Sequence, residues 1–181
     1  MRVWLAGKMK AKKFGVMAGV CGLMLLAVAG CSQPDRPPRV APIKPSMFAP
    51  EAMRLHPTFT QVLDTNNDGT ADSIEAEVEF TDKFGDPTKA EGQVMFELYS
   101  FRQDNPDPRG SRLVNPFVGS IQTPAEQEAR WNRTTRTYSF RLAAPIVGKR
   151  ANYVLTASFV TTSGKRYFDK TVLVPLPRDE K

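Results

Sequence analysis

Ile74-Glu75-Ala76-Glu77-Val78-Glu79-Phe80 decides the fold. Apolar side chains alternate with three glutamates, and a period of two sends them to opposite faces of an extended chain. The expectation is a half-buried strand with a solvated row of carboxylates. Lys83-Phe84-Gly85-Asp86-Pro87 then breaks the pattern. Gly92 to Phe101 resumes it with apolar residues on both faces: Val94, Phe96 and Leu98 on one, Met95, Tyr99 and Phe101 on the other. Such a double-sided strand belongs in the middle of a sheet. Thr135 to Leu142 aligns Tyr138, Phe140 and Leu142, and the next strand aligns Tyr153, Leu155, Ala157 and Phe159. Ser163-Gly164 is a two-residue turn leading into a last strand, Lys165 to Leu176, so the chain ends in a hairpin. Thr123-Pro124-Ala125-Glu126 carries the cap, first-turn proline and third-position acid of a helix start, which predicts one short helix near 123–131.

Six or seven strands in about 130 residues, separated by Pro, Gly and Asp turns, predict one all-β domain over 47–178 with a short tail at 179–181. The expected architecture is an antiparallel two-sheet sandwich. In strand count and spacing it is similar to immunoglobulin-like, C2-like and transthyretin-like sandwiches, a likeness that implies no activity.

Ahead of this body stand Arg2, Lys8, Lys10, Lys12 and Lys13, then an apolar run from Phe14 to Ala29, with no acidic residue before Asp35. Basic residues in front of an apolar segment are the pattern of an export signal. The run closes on Val28-Ala29-Gly30-Cys31, which resembles the lipobox of bacterial lipoproteins. That resemblance implies that residues 1–30 are a signal peptide cut before Cys31, and that Cys31 carries a diacylglyceryl group and an acylated N-terminus. Three acyl chains exceed the two needed for stable anchoring. It implies attachment to a membrane through the lipid; Ser32, rather than aspartate, after the cysteine points to the outer membrane over the inner. An uncleaved signal anchor is the competing reading. From 31 to 46 the chain is proline-rich, with Pro34, Pro37, Pro38, Pro42 and Pro45, and reads as a stalk reaching roughly 45 Å in polyproline geometry.

Cutting there changes the charge. Of 25 basic residues five lie in the leader, so the mature chain carries 20 against 19 acidic, a net of +1. The basic character of the whole sequence therefore belongs to the leader and gives no support to nucleic-acid binding. Cys21 leaves with the signal and Cys31 is lipidated, so the folded body has no disulfide.

The sharpest chemical motif is Asp64-Thr65-Asn66-Asn67-Asp68-Gly69-Thr70-Ala71-Asp72-Ser73-Ile74-Glu75. It matches D-x-[DN]-x-[DN]-G-x5-E and resembles an EF-hand loop. The resemblance implies a Ca2+ ion held by Asp64, Asn66, Asp68, the Thr70 carbonyl, Asp72 and Glu75, with Gly69 allowing the bend. It departs from the family in being flanked by strands, Thr58 to Leu63 and Ile74 to Phe80, and in having Ala71 at the eighth position. A plain polar hairpin has the same residue types.

Charge is segregated along the chain. Eight acidic residues occupy 64–86, whereas Arg130, Arg133, Arg136, Arg141, Lys149, Arg150, Lys165 and Arg166 share 129–168 with no acid. Cross-strand pairing explains this most simply; contact with an anionic envelope polymer or a protein is the sharper reading. Catalysis is disfavoured. His56, the single histidine, lies beside Pro57 near the stalk, and the body has no thiol for Cys-His chemistry or zinc. Glu75 and Glu77, about 6.8 Å apart on one face, suit an inverting glycosidase, so a carbohydrate-active or other envelope hydrolase using surface carboxylates is the alternative. The long loop Gln103 to Gly119 is the remaining place for binding residues. The sequence thus reads as a non-catalytic envelope lipoprotein, structural or binding in role.

Overall fold

The computed structural model describes residues 46–148 and 151–174. All of them belong to the second of two compact units, Ile43–Lys181. The unit is an all-β sandwich of two antiparallel sheets with one α-helix, as the alternation in 74–80 predicts. Its elements in order are β1 (Ala52–Leu55), β2 (Gln61–Leu63), β3 (Ser73–Thr81), β4 (Gly92–Phe101), β5 (Arg109–Arg112), β6 (Phe117–Ser120), α1 (Pro124–Arg130), β7 (Trp131–Asn132), β8 (Thr137–Ala143), a 3-10 turn (Pro145–Gly148), β9 (Tyr153–Thr161) and β10 (Arg166–Leu173).

The first sheet runs β1-β3-β8-β7 and the second β10-β9-β4-β5. β2 shares one side of β3 with β1, pairing at Ser73 to Glu75 while β1 pairs at Val78 to Thr81. β6 and β5 divide one side of β4 in the same way. Each sheet is therefore four strands wide with one margin made of two short pieces. Pro57 lies in the turn between β1 and β2, and Pro116 directly before β6. A proline has no N–H to give to a ladder.

Between the sheets lies the core. Ile74, Ala76, Val78 and Phe80 of β3 and Tyr138, Phe140 and Leu142 of β8 face Val94, Phe96 and Leu98 of β4 and Leu155, Ala157 and Phe159 of β9, all buried. Aromatic pairs cross the gap: Phe80 to Phe159 at 4.6 Å between ring centroids, and Phe96 to Phe140 at 5.2 Å. Burying each such ring contributes about 2 to 3 kcal/mol, so these residues carry much of the stability in a body without disulfides. Gly119 and Gly92 mark where sheets and rings come closest: a Cβ at Gly119 would stand 2.5 Å from Phe140, and one at Gly92 2.1 Å from the Val160 carbonyl oxygen.

Three expectations need correction. The strand expected from Thr58 to Leu63 is only Gln61–Leu63, because Pro57 and the His56 side chain hold the preceding residues in a turn. The long loop from Gln103 to Gly119 contains β5 and the first part of β6, with Arg109-Gly110-Ser111-Arg112 laddered on β4 despite having no apolar alternation. The glutamate row is not a solvated face: Glu77 and Glu79 are buried and Glu75 is half-buried. β3 lies inside its sheet, and side chains from β1, β8 and the turn before β2 cover its outer surface.

The helix and the final hairpin form, but the hairpin turn has three residues, Thr162 to Gly164, instead of the expected two, because Thr161 bonds to Lys165 across it. Thr123 Oγ1 accepts the Glu126 N–H, and the Glu126 carboxylate accepts the Thr123 N–H at 2.9 Å, a complete capping box. Gly164 turns the β9–β10 hairpin with φ +86°, a conformation that a side chain would strain.

Candidate functional site

The loop between β2 and β3 holds the proposed calcium ligands. Its first half is drawn inward around Asp64, whose carboxylate accepts the Asp68 N–H at 3.3 Å and the Gly69 N–H at 2.7 Å. Asn66 donates through Nδ2 to Asp68 at 2.9 Å, and Asp68 in turn accepts the Thr70 N–H at 2.7 Å. Asn67 and Gly69 take left-handed backbone angles, φ 60° and 81°, which make the bend. Asp64, Asn66 and Asp68 are thus brought together. Asp72 and Glu75 are not brought to them. Asp72 accepts the Thr65 hydroxyl at 2.8 Å and the Thr65 N–H at 3.2 Å, and chiefly that hydroxyl holds its carboxyl below the ordinary carboxylate range. Glu75 has turned to Arg141, 3.2 Å away on β8. Among the described residues no group of three His, Cys, Asp or Glu side chains is placed to hold a metal ion. The loop thus draws Asp64, Asn66 and Asp68 together and engages Asp72 and Glu75 elsewhere.

The glutamates considered for hydrolysis are bonded into the sheet. Thr137 and Ser139 of β8 both donate hydroxyls to the Glu77 carboxylate, and Thr60 Oγ1 accepts the Glu77 N–H at 3.1 Å. Glu79 takes the Arg54 guanidinium at 2.5 Å. Glu75 and Glu77 therefore do not form an open pair of surface carboxylates. His56 stacks on Phe59 at 4.2 Å, and its Nδ1 accepts the Thr58 and Phe59 N–H groups. In the 103–119 segment Arg109 forms a fork on Asp107, holding that carboxyl far below its usual range, while Lys170 reaches Asp107 from β10 at 3.3 Å.

Cross-strand pairing accounts for part of the basic half. Arg141 on β8 pairs with Glu75 opposite it on β3, whereas Lys165, just ahead of β10, reaches Glu51, just ahead of β1 of the other sheet, at 2.9 Å. Among the described residues Arg130, Arg133, Arg136 and Arg166 have no carboxylate within ion-pair distance. Lys149 and Arg150 lie outside the described residues, as do residues 1–30, which carry the expected signal peptide, Cys31 and the proline-rich segment as far as residue 45.

Beside α1 is a place that sequence reasoning missed, where Lys89, Glu128 and, of those arginines, Arg133 come to line one depression. Gln127 fastens the helix to the core: its Nε2 donates to the Ala90 and Ile121 carbonyl oxygens, each at 2.7 Å, and its Oε1 accepts the Tyr138 hydroxyl. Burial in that environment pushes the Tyr138 phenol up. Trp131 follows the helix as β7 and stands edge-on to Tyr138 at 4.9 Å. Lys89, from the β3–β4 connection, places its ammonium 5.3 Å over the Trp131 ring. Asn132 Oδ1 accepts the Thr134 and Thr135 N–H groups, and Arg136 adopts φ 57°, so the β7–β8 turn is tight and presents Arg133 and Arg136 outward. Arg130, in the last turn of α1, lies 4.6 Å over the Phe140 ring.

A depression of about 620 Å3 lies here, lined by Lys89, Pro124, Gln127, Glu128, Trp131 and Arg133. A second, of about 500 Å3, shares Lys89, Pro124 and Gln127 with it and continues past Glu91 toward Ser46 and Pro50. Together they make one trough along α1. The signal legible in sequence was the run of arginines around Trp131 with no acid among them; Lys89 comes from another part of the chain.

Among the described residues no helix is long and apolar enough to cross a membrane. Compared with protein-family models, with curated proteins and with solved structures, the chain matches none.

Proposed function

We propose that the protein is a lipid-anchored envelope lipoprotein whose β-sandwich is a non-catalytic structural or binding module. The observation that carries this reading is Val28-Ala29-Gly30-Cys31 closing an apolar run behind five basic residues, directly ahead of a proline-rich segment and a separate folded body. Acylation at Cys31 fixes the protein to a membrane, the outer one where the cell has two, and the segment to residue 46 sets the body off from the headgroups. The engagement of Glu75, Glu77, Glu79 and His56 in hydrogen bonds and ion pairs supports a non-catalytic body, since none presents an open acid–base pair.

Calcium enters this reading as a loop stabiliser. Asp64, Asn66, Asp68 and the Thr70 carbonyl would hold the ion, with Glu75 and Asp72 completing the shell on leaving Arg141 and Thr65. The ion supplies charge neutralisation and rigidity there and no reaction.

The anchoring is tested by intact mass of the native protein. A chain beginning at Cys31 with its acyl groups is expected; retention of residues 1–30, or an unmodified Cys31, overturns it. Calorimetric titration with Ca2+ tests the loop, with Asp68→Ala as the control. Equal heats from the two proteins remove the metal.

A further inference from the structure

We infer that the outer surface of the second sheet carries a binding site for a medium-chain carboxylic acid, its tail laid across the strands and its carboxylate on Arg166. The inference deepens the binding half of the reading above, on which it rests, and needs no acyl anchor.

The two sheets turn different surfaces outward. On the first, carboxylates meet partners: Glu75 has Arg141, Glu79 has Arg54, and Glu77 has the Thr137 and Ser139 hydroxyls. On the second the surface is apolar. Among the described residues Met95, Val118, Val160, Phe168 and Val172 are the large apolar strand residues left exposed, and all five belong to it. Apolar surface gathered in one place is unfavourable in water and marks where another apolar group lodges.

Register shapes that surface into a groove. Val118 of β6, Met95 of β4, Ser158 of β9 and Phe168 of β10 stand opposite one another in one row across four strands, and Ser120, Gln93, Val160 and Arg166 form the next row. Ser158, a small side chain, falls between Met95 and Phe168, so the row is low over β9 and walled on either side. A depression of about 480 Å3 lies there, lined chiefly by Met95, Val118, Ser158, Val160, Arg166 and Phe168. Three strand spacings separate Val118 from Phe168, about 14 Å, which a tail of about ten carbons spans. Arg109 lies 5.9 Å over the Phe168 ring and 5.8 Å over that of Tyr99, which keeps the Phe168 wall in place.

Charge gives the head group. Arg166 is the one ionic side chain in the lining, and no carboxylate lines the groove. Arg166 is exposed and has no ion pair among the described residues, whereas the other cations of β10 and β5 are taken: Lys170 and Arg109 by Asp107, and Arg112 by Glu97. Asp169, its nearest acid along β10, faces the other way and accepts the Leu55 N–H. Gln93, across Val160 from Arg166, adds an amide donor. A guanidinium without a counter-charge at the end of an apolar groove suits a carboxylate joined to an apolar tail: the head gains a charge-assisted fork and the tail covers the exposed side chains. A bare anion leaves the groove uncovered, and a neutral hydrocarbon leaves Arg166 unmatched.

The test uses the full chain in phosphatidylcholine nanodiscs, dialysed against known free concentrations of decanoate and read by the carbon-13 methyl signals of Met95 and Val118. Decanol keeps the tail without the charge, decyltrimethylammonium reverses the charge, and butyrate keeps the carboxylate without the tail. Saturable shifts of both signals with decanoate are expected, with each of the other three compounds at least tenfold weaker. Arg166→Ala should lower decanoate affinity at least tenfold at unchanged circular dichroism. Ser158→Leu fills the groove and should abolish the Met95 shift; Val118→Ser, at a position already exposed, should weaken binding without touching the core. Arg133→Ala removes an equally unpaired arginine from the β7–β8 turn and should leave affinity within twofold. No shift with decanoate, decanol or decyltrimethylammonium binding as tightly as decanoate, or an Arg166→Ala affinity within twofold of the parent overturns the inference. Because anchoring is read by mass and the groove by titration, either can fail while the other stands.

Discussion

Replacing Gln127 with leucine should loosen the join between α1 and the sandwich by an amount the hydrogen bonds fix in advance. The side chain makes three bonds, two from Nε2 to the Ala90 and Ile121 carbonyls and one from the Tyr138 hydroxyl to Oε1. Leucine is similar to glutamine in helix propensity, so backbone preference does not confuse the comparison. At about 1 kcal/mol net per bond, the loss is about 3 kcal/mol. The Tyr138 hydroxyl keeps longer contacts, 3.3 Å, with Ala90, which holds the cost to this figure. For a body of about 130 residues, with unfolding entropy near 2.1 cal/mol/K per residue, that lowers Tm by about 10 °C. Urea unfolding followed by Trp131 fluorescence measures it, since Trp4 is the only other tryptophan in the chain. The decisive comparison is a double-mutant cycle with Tyr138→Phe. The two changes share a bond, so the double variant should be about 1 kcal/mol more stable than the sum of the singles implies. A Gln127→Leu cost below about 0.5 kcal/mol, or strict additivity, would refute the role given to this side chain.

Gly92→Ala should abolish folding or cost more than the usual 1 to 3 kcal/mol of overpacking, because the new methyl meets the Val160 carbonyl oxygen at 2.1 Å and backbone there cannot yield; thermal melts measure it. Thr123→Ala removes the helix cap and should cost about 1 kcal/mol while leaving the sheets intact, a loss that urea midpoints resolve. The Glu126 carboxyl is held below its ordinary value of 4.5, chiefly by the Thr123 N–H. A depressed folded value means its contribution is fully present above pH 4.5 and is lost as pH falls through the lower folded value. Carbon-detected NMR titration of that carboxyl should therefore show a midpoint below 4.5, and Glu126→Gln should remove the corresponding acid dependence of stability.

Much of the sandwich was legible because its central strands obey a simple alternation. Gly92 to Phe101 reads as a strand from sequence and is one, residue for residue, since Val94, Phe96 and Leu98 line up on the buried face; the other apolar face is not buried in turn, Met95 being exposed. The capping box at Thr123 was equally plain, as it needs only neighbours in sequence. What escaped depends on partners far along the chain. β5 has no apolar pattern and is a strand only because β4 offers it an open side. β1 is four residues long beside a proline-rich stretch, too short for Met53 and Leu55 to declare a face. The glutamates of β3 looked solvated because alternation tells which face a side chain takes and not what lies over it. Thr137 and Ser139 are 60 and 62 residues from Glu77. The candidate trough escaped for the same reason: Lys89 and Trp131 meet only after folding, whereas the Asp64 loop was found at once because its residues are contiguous.

The broken margins of the two sheets bear on how many copies could lie side by side. An exposed strand border is a template for another chain, and its danger grows with its uninterrupted length. Here one border is split between Ala52–Leu55 and Gln61–Leu63, another between Arg109–Arg112 and Phe117–Ser120, and a third is the two-residue Trp131–Asn132. The fourth, Arg166–Leu173, is long, but Asp169 reaches from it to the Leu55 N–H at 2.7 Å, tying that flank to the opposite sheet. Among the described residues the two split borders therefore offer a neighbour only ladders of three or four residues each, which limits how far one molecule could extend the sheet of the next there.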